Sequence, residues 1–308
     1  MTVPSRALPA APAAAEALGG EDLYGVAEHS PWRAARRVLW ADRAALAGLL
    51  LLSLFVAIAV AAPLLAPHDP HAIHLSDKLQ GPSGRYPLGT DQLGRDLASR
   101  LIYGARATLG SAIPTTMGLL LFGLVIGIAA GYLGGWVDRV VVGTVDVLLA
   151  LPRLILSLAL VGFLGPSLQS LLIAIIVVGW ADHARIFRAA TLAAREWEFV
   201  LAARALGASD LRIMARHILP NIIGPIVVLA TLDLGHIVLM ISSLSFLGLG
   251  IQPPTPEWGA MLNDARTYLD QAPHLVLLPG LCILLSVLAC NLLGDGLRAA
   301  LDPRSRDR

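Results

Sequence analysis

The stretch ATLAAREWEFVLAARALGASDLRIMARHILP, residues 190–220, decides how the chain is organised. Helix formers dominate on both sides of Gly207. Gly207-Ala208-Ser209-Asp210 reads as a helix stop followed by two residues that favour the start of another helix. Pro220 then opens an apolar run, at a first-turn position where a missing N–H matters little. The pattern predicts helix, tight turn, helix over 190–217, charged and Ala-rich between two apolar runs. An ordinary solvated loop is the alternative, and it would need no such pattern.

Working outward, a helix needs about 20 predominantly apolar residues to cross a bilayer. Residues 44–66, 110–133 and 275–294 carry no charge at all. Residues 140–165 are apolar but hold Asp146 and Arg153, and 168–187 end in Asp182, His183 and Arg185. Residues 218–250 are interrupted by Asp233 and His236. Six transmembrane helices are therefore expected, in an all-α integral membrane protein. Composition agrees, with 56% hydrophobic residues, only 15% charged and a mean hydropathy of +0.69. Soluble domains run nearer a quarter charged, and a buried soluble bundle would show polar faces that these runs lack. A net charge of +1 gives no field that would call for nucleic acid.

Basic residues set the expected orientation. Arg33, Arg36, Arg37 and Arg43 precede the first span, six arginines from Arg185 to Arg216 lie between the fourth and fifth, and Arg298, Arg304, Arg306 and Arg308 follow the last. An even number of spans puts all three regions, and both termini, in the cytoplasm. The 251–274 loop, with Glu257, Asp264 and Asp270 against Arg266, suits the outside. The 67–109 segment suits it less, because its basic residues outnumber its acidic ones. Residues 1–43 read as an Ala/Pro-rich and then basic cytoplasmic tail, not a cleavable signal, with 1–30 disordered. The expected division is 1–43 tail, 44–66 first helix, 67–109 extracytoplasmic segment, 110–298 core with five helices, and 299–308 tail.

The 190–220 stretch resembles the cytoplasmic signature of ABC importer permeases: Glu-Ala-Ala, three residues, Gly, nine residues, Ile, one residue, Leu-Pro. Ala202, Ala203, Gly207, Leu219 and Pro220 fall on that pattern. Leu201 stands at the Glu position and His217 at the Ile position, with Ile218 one place later. PLGTDQLGRD at 87–96, SFLGLG at 245–250 followed by Pro253-Pro254, and the ending Gly294-Asp295-Gly296-Leu297-Arg298 also look like the peptide/nickel branch, second-permease type. The resemblance covers about 35–305. It implies a type I importer permease whose coupling helix (Ala202, Ala203, Arg204, Gly207, Ala208, Ser209, Leu219, Pro220) docks on an ATPase. It also implies a bacterial inner-membrane location, a second homologous permease, two ATPase subunits that bind ATP and Mg, and an extracytoplasmic solute-binding protein.

No cofactor and no catalysis are expected of the chain itself. A P-loop needs a lysine on the phosphates, and Lys78, the single lysine, stands without the glycines. An ion-coupled secondary transporter is the alternative class. It predicts inverted repeats, which this sequence does not show, and it leaves the helix-Gly-helix insertion unexplained.

Ionisable residues inside a span invite explanation. Asp233 and His236, three apart, share a helix face, with Ser242 and Ser243 beyond them. They line a path or tie helices together. Asp182 and His183 are expected near the cytoplasmic end of the fourth span, as weaker path candidates. Gly123, Gly127 and Gly131, at spacing four, form a smooth stripe for close helix packing. His68, His71 and His74 are weak metal candidates, because Pro67 and Pro70 oppose the helix that would align them. Cys282 and Cys290, eight residues apart on a helix, are about 12 Å apart along its axis and read as packing residues. For cargo, VLATLDLGH at 228–236 and PEWGAMLNDAR at 256–266 look closer to nickel-type permeases. The lean is to nickel or a nickel chelate, with small peptides close behind.

Overall fold

The computed structural model describes residues 40–301. The N-terminal tail up to residue 39, and the arginines beyond 301, lie outside the described residues. Helices are α1 Arg43–Val60, α2 Ala62–Leu65, α3 Leu97–Leu133, α4 Gly135–Leu149, α5 Arg153–Leu164, α6 Leu168–Ala194, α7 Glu198–Ala205, α8 Asp210–Ile213, α9 Leu219–Phe246, α10 Trp258–Ala265 and α11 His274–Leu301. Five rods are long and apolar enough to cross a membrane, and α4 with α5 supplies a sixth if the bent pair is one span.

The third span differs from the unbroken run expected over 140–165. Its two halves meet at 91°. Pro152 stands at the break. It has no N–H to donate and biases the residue before it away from helix. The first span also ends sooner than 66. α1 closes at Val60, and Pro63 sits in the first turn of the short α2.

α3 begins at Leu97 rather than near 110. Asp96 caps it, accepting from the Ser99 N–H at 2.9 Å. At 1.5 Å per residue this helix is about 55 Å long, so it reaches from one face of the bundle to the other. It stops at Gly134 and Gly135, both at positive φ (66° and 58°). α6 lies along it: a Cβ on Gly127 would stand 2.7 Å from the Ala184 carbonyl, and one on Gly131 2.8 Å from the Arg188 carbonyl. Gly123 likewise faces His183. Bare backbone at these three positions is what lets the two helices approach so closely.

α8 and the fifth span are one rod rather than two helices parted at Pro220. A wide turn over Met214–Ile218 joins them, in which the Leu219 N–H reaches the Met214 carbonyl five residues back. Widening the turn accommodates the proline that follows, which would crowd a regular helix carbonyl.

Candidate functional site

Three places in this bundle concentrate polar or exposed side chains. The first is the helix-Gly-helix element. α7 ends at Leu206, and Gly207 turns the chain at φ 79°. A Cβ at Gly207 would meet nothing, so conformation and not crowding demands glycine here. Val200, Ile213, Ile218 and Ile222 are buried against Ile128 and Tyr132, with Ala203, Ala208 and Leu219 beside them. Tyr132, at the end of α3, donates its hydroxyl to Asp210 at 2.9 Å, and the Arg204 guanidinium lies 5.3 Å from the centre of its ring. That contact pushes the Arg204 guanidinium still higher. Arg195 donates to the Gly131 carbonyl at 3.3 Å, which closes the end of α3. Around this anchored underside large apolar side chains lie open, Trp197, Phe199, Leu201, Leu206 and Leu211, among the exposed charges of Glu196, Glu198, Arg204, Asp210 and Arg212. Ala202, Ser209 and Pro220 are exposed as well.

The second place is an ionic network at mid-helix. α6 runs to Ala194, well past 187, so Asp182 and His183 stand about 20 Å from either end of it. The helix thus continues for about two turns beyond the apolar run 168–187 that these residues close in the sequence. Asp233 pairs with His183, not with His236 one turn away, and His183 Nδ1 lies 3.1 Å from the Gly179 carbonyl. Arg153, the first residue of α5, pairs with Asp182. His236 is exposed beside them, within electrostatic range of Arg153, Asp233 and His183. Further along α6, Arg188 grips Asp138 with two guanidinium nitrogens and Arg185 lies 3.6 Å from Asp146. These pairs fasten both halves of the broken span to α6.

The third place is the opposite end. Glu257 is completely buried at the start of α10. Its carboxyl accepts from the Gly259 and Ala260 N–H groups at 3.0 and 2.9 Å and from the Thr108 hydroxyl at 3.1 Å. Burial pushes this carboxyl above the usual range. Trp258, equally buried, donates its indole N–H to the Leu101 carbonyl at 3.1 Å. Nearby, Asp91 accepts from Arg95 at 2.6 Å and pairs with Arg100 at 3.3 Å, while Asp264 stands 3.7 Å from Arg95. Glu257 and Asp264 are thus packed into the bundle rather than free in a loop. Two arginines of the 67–109 segment are neutralised there, which removes its apparent basic excess.

The sequence profile of the family described as "Binding-protein-dependent transport system inner membrane component" matches residues 123–307, more than half of the chain. The chain belongs to this family. A second profile, "N-terminal TM domain of oligopeptide transport permease C", matches residues 30–82 of this permease. The dipeptide transport system permease protein DppC of Alkalihalophilus pseudofirmus is 44% identical over 286 residues, covering 93% of each chain. The glutathione transport system permease protein GsiD of Pectobacterium atrosepticum is 42% identical, covering 89% of this chain and 92% of its own. The nickel transport system permease protein NikC of Escherichia coli K12 is 43% identical, covering 86% and 94%. This permease is a multi-pass inner-membrane subunit of a binding-protein-dependent ABC importer of the peptide/nickel branch.

Of the other residues the sequence singles out, Ser242 turns toward Glu257 at 3.5 Å, and Ser243 lines an apolar groove of about 550 Å³ with Leu239, Phe246 and Leu284. Neither joins the Asp233 network. His68 packs at a tilt against the Tyr86 ring, 5.3 Å between centres, and lies 3.5 Å from Asp96, while the His71 backbone N–H donates to the Asp69 carboxylate. Among the described residues no group of three or more His, Cys, Asp or Glu side chains is placed to hold a metal ion. Sequence reasoning missed Arg153 and Glu257 as site residues. Pro152 beside Arg153 carried a signal for the first; nothing local distinguishes Glu257 from a solvated carboxylate.

Proposed function

We propose that this permease forms half of a translocation path, beside a second homologous permease, and is driven by two ATPase subunits on which α7 and the Gly207 turn dock. One observation carries the reading: an exposed apolar rim, from Trp197 to Leu211, surrounds an element whose underside is anchored to α3. Large apolar side chains left exposed close together mark a protein contact. The side bearing α7 is cytoplasmic and both termini lie there, as the arginines around it argue. The chain hydrolyses no nucleotide. ATP and Mg act on the partner subunits, and the solute arrives on an extracytoplasmic binding protein.

The cargo is nickel, as a small chelate, or a small peptide. Relatives named for dipeptide, glutathione and nickel transport stand at nearly equal identity and support one small-solute class. The test is uptake by cells carrying the complete transporter, with and without this subunit. Radioactive nickel and a labelled dipeptide are the probes. Loss of uptake of either probe on deletion is expected. Uptake of both unchanged by the deletion would sink the assignment.

A further inference from the structure

We propose that Arg153 is the cargo-binding cation of the translocation path, taking a carboxylate of the transported solute in exchange for Asp182. This rests on the cargo reading above and adds a residue and a chemistry to it. Four ionisable side chains from three separate elements converge at mid-helix depth: Arg153 on α5, Asp182 and His183 on α6, and Asp233 on α9. An ionised side chain at the bilayer centre carries an insertion cost of about 2.5–3.5 kcal/mol on translocation scales, and such groups face the protein interior or a water-filled cavity. Here the side chains of Arg153 and Asp182 stay 23% and 39% exposed, and His236 is exposed beside them. That face is open in the single subunit, and of the two settings such charges accept, a water-filled cavity is the one a pore-forming subunit supplies.

The two pairs are unlike. His183 is 4% exposed and bonded on both ring nitrogens, to Asp233 and to the Gly179 carbonyl, so it ties α6 to α9 and has nothing left to offer. Arg153, by contrast, pairs with Asp182 on the more open side of the cluster. A guanidinium has five N–H donors in a planar fork that fits a carboxylate with two parallel bonds. The break at Pro152 holds that fork at the first residue of α5. Asp182 and Asp233 remain alongside for a positive group on the same solute, so a small zwitterion with a free carboxylate fits. Arg153 lies within electrostatic range of Asp233 as well.

The experiment compares a salt bridge with a binding site. The complete transporter in membrane vesicles carries Arg153→Ala, Arg153→Lys, or the exchange Arg153→Asp with Asp182→Arg. Assembly is followed by size exclusion, and uptake with a labelled dipeptide bearing a free carboxylate. Arg153→Ala should lower uptake about tenfold or more, the range for losing a charged hydrogen bond. Arg153→Lys, which keeps the charge but not the fork, should assemble normally and lose several-fold, which covers failure of the alanine variant to assemble. The exchange should assemble and still fail to transport. Wild-type uptake by the exchanged pair, or by Arg153→Ala, would overturn the proposal and leave the cargo reading standing. A wild-type transporter that carries no dipeptide removes the peptide cargo and this proposal together.

Discussion

At the end of the bundle that holds α10, Glu257 and Trp258 are shut away from solvent with their polar atoms bonded, whereas at the end that holds α7, Trp197, Phe199, Leu206 and Leu211 lie open. Both ends are joined by the same helix: Thr108 near the start of α3 reaches Glu257, and Tyr132 at its finish reaches Asp210. The closed end has spent its surface on internal contacts. The open end keeps apolar area uncovered, which is where we propose that the ATPase docks. A transporter worked from one side needs this division, because one end must hold the fold while the other receives a push.

The largest effect expected from breaking the closed end is that of Glu257→Ala. It strips two backbone N–H groups and the Thr108 hydroxyl of their acceptor inside a packed core, and each buried orphan costs about 1–3 kcal/mol. Thermal unfolding of the detergent-purified protein should show a loss of about 3 kcal/mol or more. Burial raises the Glu257 carboxyl, so the folded chain holds a proton that the unfolded chain releases. Its contribution is therefore fullest below the usual carboxylate range and declines as pH climbs through the raised value. Glu257→Gln should flatten that decline in stability measured against pH.

Gly127→Val comes next. The added side chain would meet the Ala184 carbonyl and Phe187, forcing α3 from α6 at an expense typical of overpacking, about 1–3 kcal/mol. Yield of folded protein and unfolding temperature should both fall; unchanged values would refute the close packing. Tyr132→Phe is smaller. It removes one hydrogen bond to Asp210, worth about 1 kcal/mol, and leaves the ring beside Arg204 in place. Stability should drop by about that much, with uptake reduced and not lost. Leu211→Asp, on the open rim, should change stability by less than about 0.5 kcal/mol. Its effect should appear as weaker co-purification with the ATPase subunits, and retention of normal co-purification would argue against the docking surface.

The open end was far more legible in the sequence than the closed one. A positive-φ turn leaves a local mark, and Gly207 followed by Ser209 and Asp210 displays it. Long apolar runs revealed most of the spans for the same reason. The bend at Pro152 was signalled locally too, but continuous apolarity across 140–165 masked it. Partnerships were hidden. Helix spacing puts Asp233 and His236 on one face, but it does not name the partner of Asp233, which is His183, fifty residues away on a facing helix. Glu257 looks like a solvated carboxylate because the donor it meets on α3, the Thr108 hydroxyl, lies 149 residues away in the chain.

The most direct measurement is solute uptake, together with ATPase stimulation by loaded binding protein, in the complete transporter carrying Gly207→Val. A β-branched residue at φ 79° is strained by at least about 1–2 kcal/mol although its side chain would touch nothing. The account predicts normal membrane insertion, lost uptake and lost stimulation. Uptake at the wild-type rate would contradict it.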